Sequence, residues 1–282
     1  MKISLISHPE VSPLNHQMFI TALESMGLEH EVLLPYNFSS KVDSTGVEYF
    51  YKGVLWEPTH IIHRSIAPFL EFMEPMLLNM EERGCKVLNP IEKAIKSRNK
   101  YFTSMLLEKA GIRVIPTLVA YPDVDRLPDF PFKIVKPSDG CKGEGVSLSP
   151  STVSALADLE GREHGKLQLL QPHYGTLGRD FRAYVVNGVC VAFVERRAKE
   201  GDFRANLSLG GLAFKMDVTH AAAKNAENVA RALGLEACGV DLLLHEGEYY
   251  VLEANAWAGF AGLSEACEVD IAGGIINFLV NK

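Results

Sequence analysis

The chain opens with short apolar stretches separated by segments whose apolar residues recur at helical spacing. KISLIS reads as a first strand, 15–26 as a helix stopped by Gly27, and HEVLL as a second strand. HIIHRS (60–65) is another short strand, a helix runs on through Met80, and CKVLNP begins a third strand-and-helix unit. This alternation predicts a small open α/β domain over residues 1–95. Arg64 falls at the end of a strand, where ligands of such sheets gather; a surface arginine is the equal alternative.

From Ser97 the pattern changes. SRNKYFTSMLLEKA predicts a helix with Ser97 as its cap, Lys100 on its first turns and Gly111 as its stop. FPFKIVKPSDGCKGEGVSLS reads as strand, glycine loop, strand, with Lys136 at the first strand's end and Gly140, Gly143 and Gly145 punctuating the loop. Such loops present backbone N–H groups to phosphate oxygens, and a neighbouring lysine adds a point charge; a mobile turn is the alternative. A helix over 151–160 and an apolar strand KLQLLQPHY, broken at Pro172, complete a second unit, 96–172.

The third unit, 173–282, is richest in strand signals. RDFRAYVVNGVCVAFVERRA is a hairpin with Asn187–Gly188 as its turn, and period two puts Asp180 and Arg182 on one face. GDFRANLSLGGLAFKM reads as an irregular polar segment, 218–233 as an alanine-rich helix ending at Gly234, and 271–279 as a closing helix. Between the helices, GVDLLLHEGEYYVLEANAWAG is a second hairpin. Alternation sends Glu253 and Asn255 to one face and Leu252 and Ala254 to the other. Asp241 joins the first pair only if the loop has an odd number of residues, so a three-residue loop at 245–247 is expected. Asp241, Glu253 and the Asn255 amide would then form an oxygen donor set suited to magnesium; solvated acids on an edge hairpin are the competing reading.

Composition narrows the class. The chain has 282 residues, 47% hydrophobic and 22% charged, enough for two or three subdomains around more than one core. Its net charge of −7 argues against nonspecific nucleic-acid binding. No apolar run approaches the roughly 20 residues of a membrane span, and the start does not read as a signal segment, so a cytoplasmic protein is expected. The five cysteines are scattered without any C-x-x-C, which fits reduced thiols better than disulfides or zinc. Against the acidic average, ERRAKEGDFR concentrates Arg196, Arg197, Lys199 and Arg204, where an anionic partner could be held. The dinucleotide fingerprint is absent after the first strand, so a nicotinamide cofactor is not expected.

In order and spacing, Lys100, Lys136 with its glycine loop, Asp180, ERRAKEGDFRANL, and Asp241 with Glu253-x-Asn255 resemble the ATP-grasp superfamily, and within it the RimK-type carboxylate-amine ligases. The resemblance spans nearly the whole chain. It implies an ATP-grasp fold, α/β and α+β, preceded by the small α/β domain, which helps to shape the acceptor site. It implies ATP and two magnesium or manganese ions, an amino-acid amine donor with glutamate favoured, a carboxylate acceptor on a protein, peptide or small molecule, and a homo-oligomer. Carried over by residue, Lys100 and Lys136 contact phosphates under the loop of Gly140, Gly143 and Gly145. Pro172 and His173 lie beside adenine, and Asp180 is a nucleotide-site acid. Arg204 and Asn206 are the catalytic pair, and Asp241, Glu253 and Asn255 hold the metals. The sequence departs from the family at Pro172, usually glutamate, at Ser208 and Leu209, usually histidine and arginine, and at Ala258, usually proline.

Overall fold

A computed structural model describes the chain apart from residues 11, 65, 140–143, 200–204 and 206–209. The front unit is built on a parallel sheet in the order β2-β1-β6-β7, from β1 (Lys2–Ile6), β2 (Glu29–Leu33), β6 (His60–His63) and β7 (Lys86–Leu88). Its crossovers carry α1 (Pro13–Ser25), with Pro13 at the first helical turn where a missing N–H is harmless, and α2 (Leu70–Glu82). Between β2 and β6 lies an antiparallel meander, β3 (Phe38–Asp43), β4 (Gly46–Tyr51) and β5 (Val54–Leu55), which the strand-and-helix reading of the sequence passed over. Its inner aromatic residues, Tyr49 and Trp56, complete a core with α2.

The expected helix from Ser97 divides in two. Ser97 caps the carboxyl end of α3 (Ile91–Lys96), its hydroxyl donating to the Ala94 carbonyl. Asn99 is the amino cap of α4 (Lys100–Lys109), accepting from Phe102 N–H at 3.0 Å. Asparagine is as good a cap as serine, and Ser97 is already committed to the preceding helix. The second sheet has the order β10-β9-β11-β8, from β8 (Leu118–Ala120), β9 (Ile134–Pro137), β10 (Ser147–Leu148) and β11 (Gln168–Gln171), with α5 (Thr152–Glu160) packed on it. β9 and β10 flank the glycine loop, as the sequence predicts.

The third sheet runs β14-β13-β12-β15-β16, all antiparallel: β12 (Arg179–Val186), β13 (Val189–Arg197), β14 (Leu212–Lys215), β15 (Ala237–His245) and β16 (Glu248–Asn255). β14 lies inside the segment expected to be irregular. Pairing with β13, not a hydrophobic pattern, makes it a strand, since Leu212 and Phe214 are exposed. One face of the sheet buries Phe181, Ala183, Val240 and Val251 against α6 (Ala221–Leu233). The other buries Tyr184, Val186 and Val194 with α7 (Ala261–Cys267), α8 (Ile271–Asn281) and the front sheet's Ile3 and Leu5. The front unit and the third sheet therefore share a core. Cys190, Cys238 and Cys267 are buried and Cys85 partly so, all as free thiols; burial pushes Cys190 and Cys238 up to about 12. Among the described residues no helix is long and apolar enough to cross a membrane.

Candidate active site

The hairpin of β15 and β16 closes through two residues, not the three expected. Glu246 (φ 51°) and Gly247 (φ 82°) both adopt left-handed backbone, the turn that matches strand twist. The odd residue that brings Asp241 to the face of Glu253 is supplied farther along. Asp241 pairs with Glu253 but Leu242 pairs with Val251, leaving Leu252 bulged out of the ladder. The bulge also turns Leu252 toward the cleft, where it sits beside Leu243, and not to the opposite face with Ala254.

The cleft lies between the second and third sheets. It gathers Lys100 from the start of α4, Lys136 from β9, Pro172 and His173 beyond β11, Asp180 from β12, and Asp241 and Glu253 from the hairpin. Ile115, Ile134, Leu243 and Leu252 give it apolar walls. Sequence reading missed most of these walls: Leu243 follows from period two with Asp241, whereas Leu252 reaches the cleft only through the bulge. Gly145 stands beside the cleft, between the lining residues Glu144 and Val146. At φ 67°, with Pro137 Cγ 2.9 Å from where a Cβ would be, only glycine fits there without strain, and its carbonyl accepts from Arg162 Nη1 at 2.6 Å. Gly140, Gly143, Arg204 and Asn206 lie outside the described residues, as do Ser208 and Leu209.

Lys136 is 5% exposed, and burial lowers its ammonium to about 8, Glu253 working against the shift and Lys100 with it. Lys100 Nζ is 3.8 Å from Glu253 Oε2. Two cations converging on a partly exposed carboxylate make a strong local field in a cleft with apolar walls. Burial also lowers His173, with Lys133 and His245 adding to the shift, so its imidazole is neutral at pH 7.

Beneath the cleft floor lies a buried ionic network. Arg196, 1% exposed, donates from Nε and Nη2 to both carboxylate oxygens of Asp180 at 2.6 and 2.7 Å, and its Nη2 is 3.0 Å from Asp241 Oδ2. Arg182 grips Asp241 with a second fork, both bonds 2.5 Å. Burial pushes the Asp241 carboxyl up, but Arg182 and Arg196 outweigh it and hold it at about 2. At Asp180 burial prevails over Arg196, and the neighbouring Asp241 charge adds to it, so that carboxyl is raised. The basic run is accordingly not one binding face. Arg196 turns inward, while Arg197 turns out to Glu195 at 2.5 Å and over the Phe214 ring at 4.5 Å, because successive strand residues alternate.

Asn255 pairs with Gly239, and its Oδ1 accepts from Trp257 N–H at 2.8 Å, so its side chain turns to its own backbone and does not line the cleft. Among the described residues no three His, Cys, Asp or Glu side chains cluster to hold a metal, so a metal set here depends on the Asn255 amide. The donors nonetheless fit a hard cation: two carboxylates facing each other across a ladder and an amide oxygen two residues on. The oxygens already bonded to arginine keep unused lone pairs.

The segment after Asn255 is pinned by the front unit. Asn89 donates to the carbonyls of Ala237 and Ala256 and accepts from Glu236 and Ala237 N–H. His63 accepts from the Trp257 indole at Nδ1 (3.1 Å) and donates from Nε2 to the Asn89 carbonyl (2.9 Å). Arg64 donates to the carbonyls of Trp257 and Ala258, and the Asn15 side-chain oxygen Oδ1 accepts from Phe260 and Ala261 N–H.

Two sheets closing on a cleft, with one lysine on a strand beside a glycine loop and another at a helix start, facing paired carboxylates, define an ATP-grasp ligase. A model of the RimK-like ATP-grasp domain matches residues 97–279, and the chain belongs to that family. A curated relative from Stenotrophomonas maltophilia (strain K279a), named probable alpha-L-glutamate ligase, is 32% identical over 284 residues, covering 98% of this chain and 97% of its own. One of the same name from Xanthomonas oryzae pv. oryzae (strain MAFF 311018) is 32% identical over 293 residues, covering 99% and 97%. The solved structure of the ATP-grasp ligase PsnB complexed with minimal precursor shares the fold, with a TM-score of 0.74 at 22% identity over 99% of this chain and 98% of that one.

Proposed function

We propose that this ligase joins the amino group of glutamate to a carboxylate at a protein or peptide terminus, at the expense of ATP. A carboxylate is a poor acyl donor. Transfer of the γ-phosphoryl group to one of its oxygens gives an acyl phosphate and ADP; the amine then attacks the carbonyl carbon, phosphate departs with the C–O electron pair, and an amide remains. The reading is carried by the convergence of Lys100 and Lys136 on Glu253 and Asp241 in one cleft. The relatives' names favour glutamate.

In this reading the lysines hold phosphate oxygens, Ile115, Ile134 and Leu252 flank the base, and Pro172 and His173 border it. The glycine loop of Gly140, Gly143 and Gly145 covers the phosphates, Asp180 borders the nucleotide, and Arg204 and Asn206 serve the transferred group. Asp241, Glu253 and Asn255 would hold magnesium or manganese, in two ions, which screens the phosphate charge and withdraws electrons from the γ-phosphorus. The units 1–95, 96–172 and 173–282 divide the work into acceptor side, loop side and metal side.

The test is phosphate release by purified protein with ATP and magnesium against a panel of acids and amines, with mass spectrometry of the products. ADP formed only when glutamate and an acceptor peptide are both present, with a peptide heavier by one or more glutamyl residues, is the expected result. A product carrying another amino acid, or a ligated coenzyme, would replace glutamate in this reading, and ADP release without any amine would remove ligation from it.

A further inference from the structure

Arg64 is 7% exposed at the carboxyl end of β6, and among the described residues no carboxylate meets it. Its Nη2 alone bonds, to the carbonyls of Trp257 at 3.2 Å and Ala258 at 2.8 Å. Its Nε and Nη1 have no partner among the described residues, yet they are not sealed from solvent as Arg162 Nε is. The Phe19 and Phe260 rings stand 6.0 and 5.6 Å from the guanidinium carbon. The Tyr184 hydroxyl lies beside it, buried and without an aligned hydrogen bond.

A buried charge normally has a counter-charge, because taking an ion out of water costs several kcal/mol. Arg182 and Arg196 have theirs in Asp180 and Asp241. Among the described residues, Arg64, Arg182 and Arg196 set three guanidiniums against the two carboxylates of Asp180 and Asp241, and neither carboxylate pairs with Arg64. Pinning two carbonyls does not explain a cation, since a neutral amide could do the same without that penalty. The position does suggest a reason. The carboxyl edge of a parallel sheet is where such folds receive ligands. Here that edge abuts the metal hairpin: Ala258, whose carbonyl Arg64 holds, packs on Gly239, the partner of Asn255. Arg64 is not among the residues that line the cleft of Lys100 and Lys136.

We infer that the open Nε and Nη1 edge of Arg64 binds a carboxylate of the amino acid that is ligated, holding that substrate at the junction of the front sheet and the β15–β16 hairpin. The inference rests on the ligase reading above but not on the amino acid's being glutamate. A guanidinium fork grips a carboxylate through two parallel N–H bonds, and replacing that carboxylate by an amide leaves buried donors facing the wrong group.

Calorimetric titration of the full chain, loaded with ADP and magnesium, tests this with L-glutamate, glutamine, glutamate α-amide, and other L-amino acids with their α-amides. Wild type is expected to bind its preferred amino acid about tenfold to a hundredfold tighter than one of the amides, the range of a charged hydrogen bond. Which amide fails identifies the carboxylate. Arg64→Met should erase that ratio, and Arg64→Lys, which keeps the charge without the fork, should leave an intermediate one. If Arg64→Met does not fold, Arg64→Lys decides alone. A wild-type ratio near one, no binding of any amino acid, or a ratio unchanged in the variants overturns the inference. If glutamate binds no tighter than other amino acids while the ratio still collapses, glutamate falls and the anchor stands. If glutamate is preferred and the ratio does not move, only the anchor falls.

Discussion

Asp241 and Glu253 face each other across the β15–β16 ladder because Leu252 is bulged out of it. The pair is asymmetric: Asp241 is locked by two guanidiniums, while Glu253 is partly exposed with Lys100 3.8 Å away. Glu253→Gln should therefore abolish ADP release and leave the thermal midpoint close to wild type, since an amide fills the same volume but lacks the charge a divalent cation needs. Coupled-assay rates and a melting curve on the same preparation check both halves. Normal turnover with unchanged magnesium dependence would remove Glu253 from the metal set.

Neighbours on β13 should behave in opposite ways. Arg196→Met removes the fork on Asp180 and, among the described residues, leaves Asp241 with one guanidinium, and breaking a buried pair from one side costs about 3 to 5 kcal/mol. Arg197→Ala removes an exposed arginine and should shift the urea midpoint little. Equal effects would mean that the inward and outward assignments are wrong.

His63 gives the fold a pH dependence. Burial lowers its imidazole to about 4, the Asn89 carbonyl opposing the shift and Arg64 adding to it. Below its unfolded pKa near 6.5 the unfolded chain takes up a proton that the folded chain refuses. The neutral ring's contribution is thus complete above pH 6.5 and is lost as pH falls from 6.5 to 4, amounting to about 3 kcal/mol. His63→Gln, which can donate and accept without titrating, should flatten urea-derived stability across that window. A slope equal to wild type would assign the acid sensitivity elsewhere.

Gly239 is constrained by packing. A Cβ there would fall 2.5 Å from the Ala258 Cβ. Gly239→Ala should cost about 1 to 3 kcal/mol, as overpacking does, and Ala258→Gly in the same chain should recover most of it. Urea unfolding of both single variants and the double variant measures the coupling; additive losses would mean that the two positions do not touch.

Much of the scaffold was legible from local signals. Asn187–Gly188 marks its turn, Gly234 ends α6, and the strands around the glycine loop stand where period and punctuation put them. Parity in the β15–β16 hairpin was legible too: Asp241 requires one extra residue to share a face with Glu253, and only its location was not. A turn has a residue signature, whereas a bulge is settled by what the neighbouring strand needs, and nothing in VLEAN records it. The same holds for β14, which exists because β13 offers an unpaired edge. The cap at Asn99 shows two competent residues competing, with the preceding helix deciding the outcome. Charge patterning misled most: four basic residues close in sequence suggested one anion site, but strand alternation sent Arg196 to the interior, while Arg64, far away and surrounded by apolar residues, emerged with an open donor edge.

The pinning of residues 256–261 by Asn15, His63, Arg64 and Asn89 bears on how such enzymes can be recombined. The front unit is not an interchangeable cassette. A chimera that grafted another front unit onto residues 97–282 would also exchange the four side chains that fix the backbone just beyond Asn255, so an exchange made that way would disturb the β15–β16 hairpin as well. Transplants that carry those four positions across unchanged keep the two properties separable.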